Sequence, residues 1–147
     1  MDIFNLEIYD GVAVVKVDIP SATLREAKPM WELFESEEIF YWKNIIIDLS
    51  ACTFVDSTFI GMIIKIFRRV NEKESRLKLV FPQLNDIESF RVVGITKIIS
   101  CFKTLEQAVD SYKPNNKIPK IQIDEKSVFK PVAAAISYFI FSDITSH

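Results

Sequence analysis

The sequence predicts an α/β domain, a mixed β-sheet with helices packed against it, followed by a C-terminal appendage. Three observations carry this expectation. Phe4, Leu6 and Ile8 alternate with polar residues, which is the period of a half-buried strand. Asn44 to Leu49 (NIIIDL) is almost continuously apolar, as expected of a strand buried on both faces of a parallel-paired sheet. From Ser57 the apolar period becomes helical, with Ile60, Ile63, Ile64 and Phe67 on one face.

The elements follow in order. The first strand runs into Asp10-Gly11, a favoured two-residue hairpin turn, and the β-branched run Val12 to Val17 returns as the second strand. Pro20 closes it. Thr23 and Glu26 have capping-box spacing, while Pro29 predicts either a kink or a later helix start. Met30, Leu33 and Phe34 give that helix its apolar face. The buried strand at 44–49 and the helix from Ser57 come next. Leu77 to Phe81 is a further strand, ended by Pro82. Ile87, Phe90 and Arg91 predict a short helix before Gly94, and Lys97 to Phe102 a last strand. Thr104 and Gln107 cap a final helix with Leu105, Ala108, Val109 and Tyr112 apolar. The order β-β-α-β-α-β-α-β-α implies right-handed crossovers.

Residues 1–112 are thus expected to form one domain. Residues 113–131 are polar, carry prolines at 114, 119 and 131, and read as a linker or edge segment, with an edge strand at Ile121 and Ile123. Residues 132–147 open with the apolar run Val132 to Phe141, shorter than the ~20 residues a membrane span requires. That segment is expected to pack as a helix on its own domain or on a second copy, joining a homodimer.

Composition excludes several functions. A net charge of −2 without a basic stripe argues against nucleic-acid binding; Lys65, Arg68 and Arg69 read as a solvated helix face. The first ten residues have neither the basic region nor the apolar run of a signal peptide, and no membrane insertion is expected, so the expected location is the cytoplasm. Cys52 and Cys101 belong to no C-x-x-C pair and read as reduced, buried thiols. The sole histidine is His147, so no imidazole can serve a buried nucleophile. There is no clustered Cys/His set for zinc and no phosphate-binding glycine loop. Asp18, Asp48 and Asp56 could group around Mg²⁺, but strand-end and turn-capping roles explain them better. No enzyme, cofactor or metal is expected.

The informative stretch is Asp48 to Gly61, DLSACTFVDSTFIG. Asp56, Ser57 and Thr58 lie where the chain leaves the sheet and opens a helix, whose first-turn N–H groups are unpaired and whose dipole is positive. Ser57 there is either an N-cap or a phosphorylation site. The apolar arc, widened by Phe59, Met62 and Ile66, predicts a helix that is either deeply buried or docks a partner.

Residues 45–64, IIIDLSACTFVDSTFIGMII, resemble the signature of the STAS domain, the family of bacterial anti-sigma-factor antagonists. Asp48, Leu49, Ser50, Phe54, Asp56, Ser57, Ile60 and Gly61 match it, and the likeness extends over about residues 4–112. It implies a STAS-like fold and a regulatory protein that binds an anti-sigma factor, a serine kinase, and is switched by phosphorylation of Ser57, with a phosphatase resetting it. Asp56, Thr58, Phe59, Gly61, Met62 and Ile66 become the expected partner-binding residues. Two features depart from the family pattern. Phe59 replaces a usual glycine, and VDIP (Val17 to Pro20) lacks the glycine and aspartate of an element at the partner-facing end. The alternative is a STAS scaffold without a phospho-switch, in a stressosome-like or lipid-transport assembly.

Overall fold

The computed structural model describes residues 2–83, 94–114 and 119–121. A five-stranded sheet is built from β1 (Phe4–Tyr9), β2 (Val12–Val17), β4 (Asn44–Asp48), β6 (Arg76–Val80) and β7 (Ser100–Phe102), in the order β1-β2-β4-β6-β7. β1 and β2 pair antiparallel and the remaining neighbours parallel, so the sheet is mixed, as expected. Asp10 and Gly11 both take positive φ, 50° and 77°, the conformation that twists a two-residue turn to match its strands.

Among the described residues, two helices cover one face. In α1 (Leu24–Ser36) the capping box is present: the Thr23 side chain accepts from the Arg25 N–H, and the Glu26 carboxylate accepts from the Thr23 N–H at 2.9 Å. Pro29 lies inside the helix, which nevertheless starts at Leu24, so of the two outcomes open for this proline the later start is excluded. α2 (Ser57–Glu72) packs against α1. Beneath them lie Ala13, Val15, Val17, Ile45, Ile47, Leu77 and Leu79, all buried. The opposite face buries Val12, Val14, Ile46, Val80 and Phe102 against α3 (Leu105–Asp110) and Tyr112. Alternation along β4 therefore feeds two cores, which is why its sequence is apolar at every position between Asn44 and Asp48. Each large side chain so buried contributes about 1.5–3 kcal/mol relative to exposure.

Some elements differ from expectation. β7 begins at Ser100; Ile95–Lys97, just ahead, form a 3-10 turn entered through Gly94 at φ 68°. Two-residue strands, β3 (Ser21–Ala22) and β5 (Phe54–Val55), pair parallel in a second small sheet. The helix expected around Ile87 to Arg91, the strand position Ile123 and the whole apolar segment 132–147 lie outside the described residues. Among the described residues, no helix is long and apolar enough to cross a membrane.

Tyr112 closes the sheet at the start of its parallel strands, donating its hydroxyl to the carbonyls of Ile45 at 2.6 Å and Arg76 at 3.0 Å. The Lys78 ammonium sits over its ring at 4.1 Å and donates to the Ser111 hydroxyl at 2.8 Å. Burial, with Arg76 and Lys120 nearby, pushes the Lys78 pKa down from 10.5 to about 8. Below about pH 8 Lys78 is charged in both states and its burial is a cost. Between pH 8 and 10.5 the unfolded chain still holds the proton that the folded chain releases, so stability gains with rising pH. Urea midpoints of the parent minus those of Lys78→Met should therefore rise across this window. A flat difference would show that the amine is solvated.

Candidate functional site

The connection from β4 to α2 is built by short-range polar bonds. Asp48, at the end of β4, is 7% exposed, and its carboxylate accepts from the Ser50 N–H at 2.9 Å and from the Ser50 hydroxyl. This Asx-type turn redirects the chain out of the sheet. The Leu49 N–H donates to the Val80 carbonyl at 2.7 Å, which holds the turn to β6. Pro20 then works as an acceptor: its carbonyl takes the N–H groups of Thr53 at 2.8 Å and Phe54 at 3.0 Å. The Asp56 N–H bonds to the Ala22 carbonyl at 3.0 Å, completing the β3–β5 seam.

Asp56 is the hinge of this arrangement. One carboxylate oxygen accepts from the Phe59 N–H at 2.8 Å and caps α2; the other accepts from the Leu24 N–H at 3.0 Å, on the first residue of α1. A single negative group thus stands at the positive ends of two helices, where charge and unpaired donors both favour it. The N-cap of α2 is therefore Asp56 and not Ser57.

Ser57 is the first helical residue of α2 and is exposed; its hydroxyl has no hydrogen-bond partner among the described residues. Thr58 is exposed beside it, while Gly61 and Met62 are half-buried. Phe59 and Ile66 need correction as surface residues: both are fully buried. The apolar arc of α2 is wide because the helix packs on both the sheet and α1, and these two side chains fill that interior. The surface beside Ser57 instead carries Leu24, 69% exposed, and Phe54, 50% exposed. Neither was expected at the partner surface; Phe54 entered only as a match to the family signature. Leu24 lies off the helical face formed by Met30, Leu33 and Phe34, and this was the available signal; Phe54 lies in a strand too short to show a period.

The chemistry within reach is sparse. Burial, above all, pushes both thiols up to about 12, with Asp48, Asp18 and Glu26 adding to the effect at Cys52, so neither is a thiolate at neutral pH. Asp18 is paired with Asn5, Asp48 with Ser50 and Asp56 with two backbone donors. No group of three His, Cys, Asp or Glu residues among the described residues could hold a metal ion. Of the cationic trio on α2, Lys65 lies over the Trp31 ring at 4.9 Å and Arg69 pairs with Glu72 at 3.2 Å.

The family model described as the STAS domain matches residues 4–108. No curated protein matches the sequence. Among solved structures, an anti-sigma factor antagonist from Mycobacterium paratuberculosis is 20% identical, with a TM-score of 0.63, over 74% of this chain and 91% of its own. The anti-sigma factor antagonist SpoIIAA of Bacillus is 18% identical in both of its forms. The unphosphorylated form covers 74% of this chain and 96% of its own, at a TM-score of 0.58. The phosphorylated form covers 75% and 99%, at 0.55. At these identities the likeness is one of fold.

Proposed function

This chain belongs to the STAS domain family, and from that membership we propose that it is a non-catalytic partner-switching protein of the anti-sigma-factor antagonist kind. On this reading it binds an anti-sigma factor that is a serine kinase, releases the sigma factor, and is switched off when the kinase phosphorylates Ser57. A phosphatase restores it. Ser57 carries the reading: its hydroxyl is exposed at a helix N-terminus, and Asp56 has taken over the capping work. A phosphate there adds roughly −1.5 to −2 charges at pH 7. The helix end tolerates this charge, so the helix stays formed. The Asp56 carboxylate repels it, and the charge acts outward on whatever meets the surface. The contact surface on this reading is Ser57, Thr58, Gly61 and Met62 with Leu24 and Phe54, while Asp56 holds it in place. A neighbour of the same fold, SpoIIAA, exists in a phosphorylated form, which agrees with the reading.

The test uses substitutions that spare the fold. Ser57→Ala should change stability by no more than about 0.5 kcal/mol, since the site is exposed and not the cap. It should abolish the phosphate seen by intact mass after incubation with a serine-kinase anti-sigma factor and ATP. Ser57→Asp should weaken calorimetric binding to that factor about tenfold or more. Undiminished binding by Ser57→Asp would end the switch reading. Protein purified from its native cell that never carries a phosphate on Ser57, under any growth condition, would favour a STAS scaffold in a larger assembly.

A further inference from the structure

One edge of the sheet is covered, and among the described residues the other has no strand beside it. Beyond β7, the Ile121 N–H donates to the Cys101 carbonyl at 2.7 Å, so the chain at 119–121 runs along that edge. β1 forms the other edge and, among the described residues, has a neighbour on one side only. Its ladder fixes which backbone groups are free. The Ile3 carbonyl accepts from the Asp18 N–H at 2.7 Å, and antiparallel pairs alternate between bonded and non-bonded. Asn5, Glu7 and Tyr9 therefore spend their backbone groups on β2, and Phe4, Leu6 and Ile8 turn theirs outward. Native sheets usually blunt such an edge with proline, charged side chains, a bulge or short length. β1 has no proline and no bulge, and it keeps register over six residues; its one charged side chain, Glu7, is paired with Lys16 of β2 at 2.8 Å, and Ile8 is 49% exposed.

Beside this edge a groove of about 890 Å³ runs between β1 and α1, with Phe4, Leu6, Pro29 and Leu33 along it. Glu32 and Glu37 line the same groove. These acids sit at the wrong end of their helix. Glu35 and Glu38 join them near the C-terminus of α1, the last turn has no basic residue, and the dipole there is negative. Lys28 reaches Glu32 at 4.0 Å, but both side chains are exposed and such a contact contributes little.

We propose that β1 and this groove form a strand-addition site for an extended segment of a partner protein in which apolar residues are interspersed with Lys or Arg. The segment pairs its backbone with Phe4, Leu6 and Ile8, lays apolar side chains over Pro29 and Leu33, and offers cations to Glu32 and Glu37. Main-chain bonding supplies affinity and the acids supply the sign of charge. A second copy of this chain fits worse, because it would bring its own Glu32 and Glu37 to the same groove. The site is separate from Ser57, which does not line it.

The probes are the labelled peptides VTKTVTK and VTETVTE, whose alternate residues bring Val together with Lys, or with Glu, to one face of an added strand; each is added to the full chain. The basic peptide should bind and slow amide exchange at Leu6 and Ile8; the acidic one should do neither. Glu32→Lys combined with Glu37→Lys, both on the surface, should weaken binding about tenfold. Leu6→Pro removes an outward N–H while sparing the bonds to β2, and should weaken it similarly. Ser57→Asp should leave the affinity unchanged. Three results would overturn the proposal: no slowing at Leu6 and Ile8 with the basic peptide, equal binding of both peptides, or binding that survives the Glu32/Glu37 and Leu6 variants. Slowing that grows with protein concentration in the absence of peptide would assign the edge to a second copy instead, and would also overturn it.

Discussion

Phe59→Ala is expected to lower stability by about 3–5 kcal/mol, the range found when a buried aromatic ring is deleted. The ring is fully buried in the first turn of α2 and belongs to the main core beneath α1 and α2. Its backbone N–H keeps the bond to Asp56 after substitution, so the loss is one of packing and cavity and leaves the cap in place. Against a total of about 5–15 kcal/mol for a domain, this is a large share. Urea denaturation should show a much lower midpoint with an unchanged slope, because the native fold remains compact. Partner affinity, measured where the variant is fully folded, should stay near the parent value. A loss of affinity with an unshifted midpoint would put the ring at the partner surface.

The second large effect is expected from Asp56→Ala. Two helix N–H donors lose their acceptor at once, and each lost cap costs about 0.5–2 kcal/mol. The expected total is about 2–3 kcal/mol, larger than either bond alone, since the bonds are to a charged group. Asp56→Asn separates the contributions. An amide offers one oxygen and can satisfy either the Phe59 N–H or the Leu24 N–H, but not both. Its midpoint should therefore fall between those of the parent and the alanine variant. If Asn costs as much as Ala, the negative charge at the two helix ends decides the effect, and the bond count does not.

These two residues also show where the sequence could be read and where it could not. The period of the strands and helices, the Asp10-Gly11 turn and the Thr23–Glu26 box are local patterns, set by residues a few positions apart, and the structure contains each of them. The site depends on partners far apart in the chain. Whether Asp56 or Ser57 caps α2 is decided by the Leu24 N–H, 32 positions upstream, which gives the second carboxylate oxygen a use. Whether Phe59 and Ile66 face a partner or the interior is decided by α1, which supplies a second wall for α2. The seam between β3 and β5 rests on two-residue strands, too short for a period to show. The late start of β7 has a similar cause: Ile98 and Ile99 continue an apolar run, yet the backbone there is still turning out of Gly94.

The antiparallel hairpin of β1 and β2 has a consequence for synthesis on the ribosome. Among the described residues it is the one strand pair of the main sheet closed by a tight turn, so it can form in about 1–10 μs once residue 17 has emerged. The next partner of β2 is β4, whose first residue is Asn44. Roughly thirty residues must be translated in between, which takes about 1.5–6 s at ~5–20 residues per second. During that interval the nascent hairpin presents Val12 to Val17 with one side unpaired. An apolar strand that ends up inside the sheet, between β1 and β4, is for a few seconds of each chain's synthesis an exposed edge.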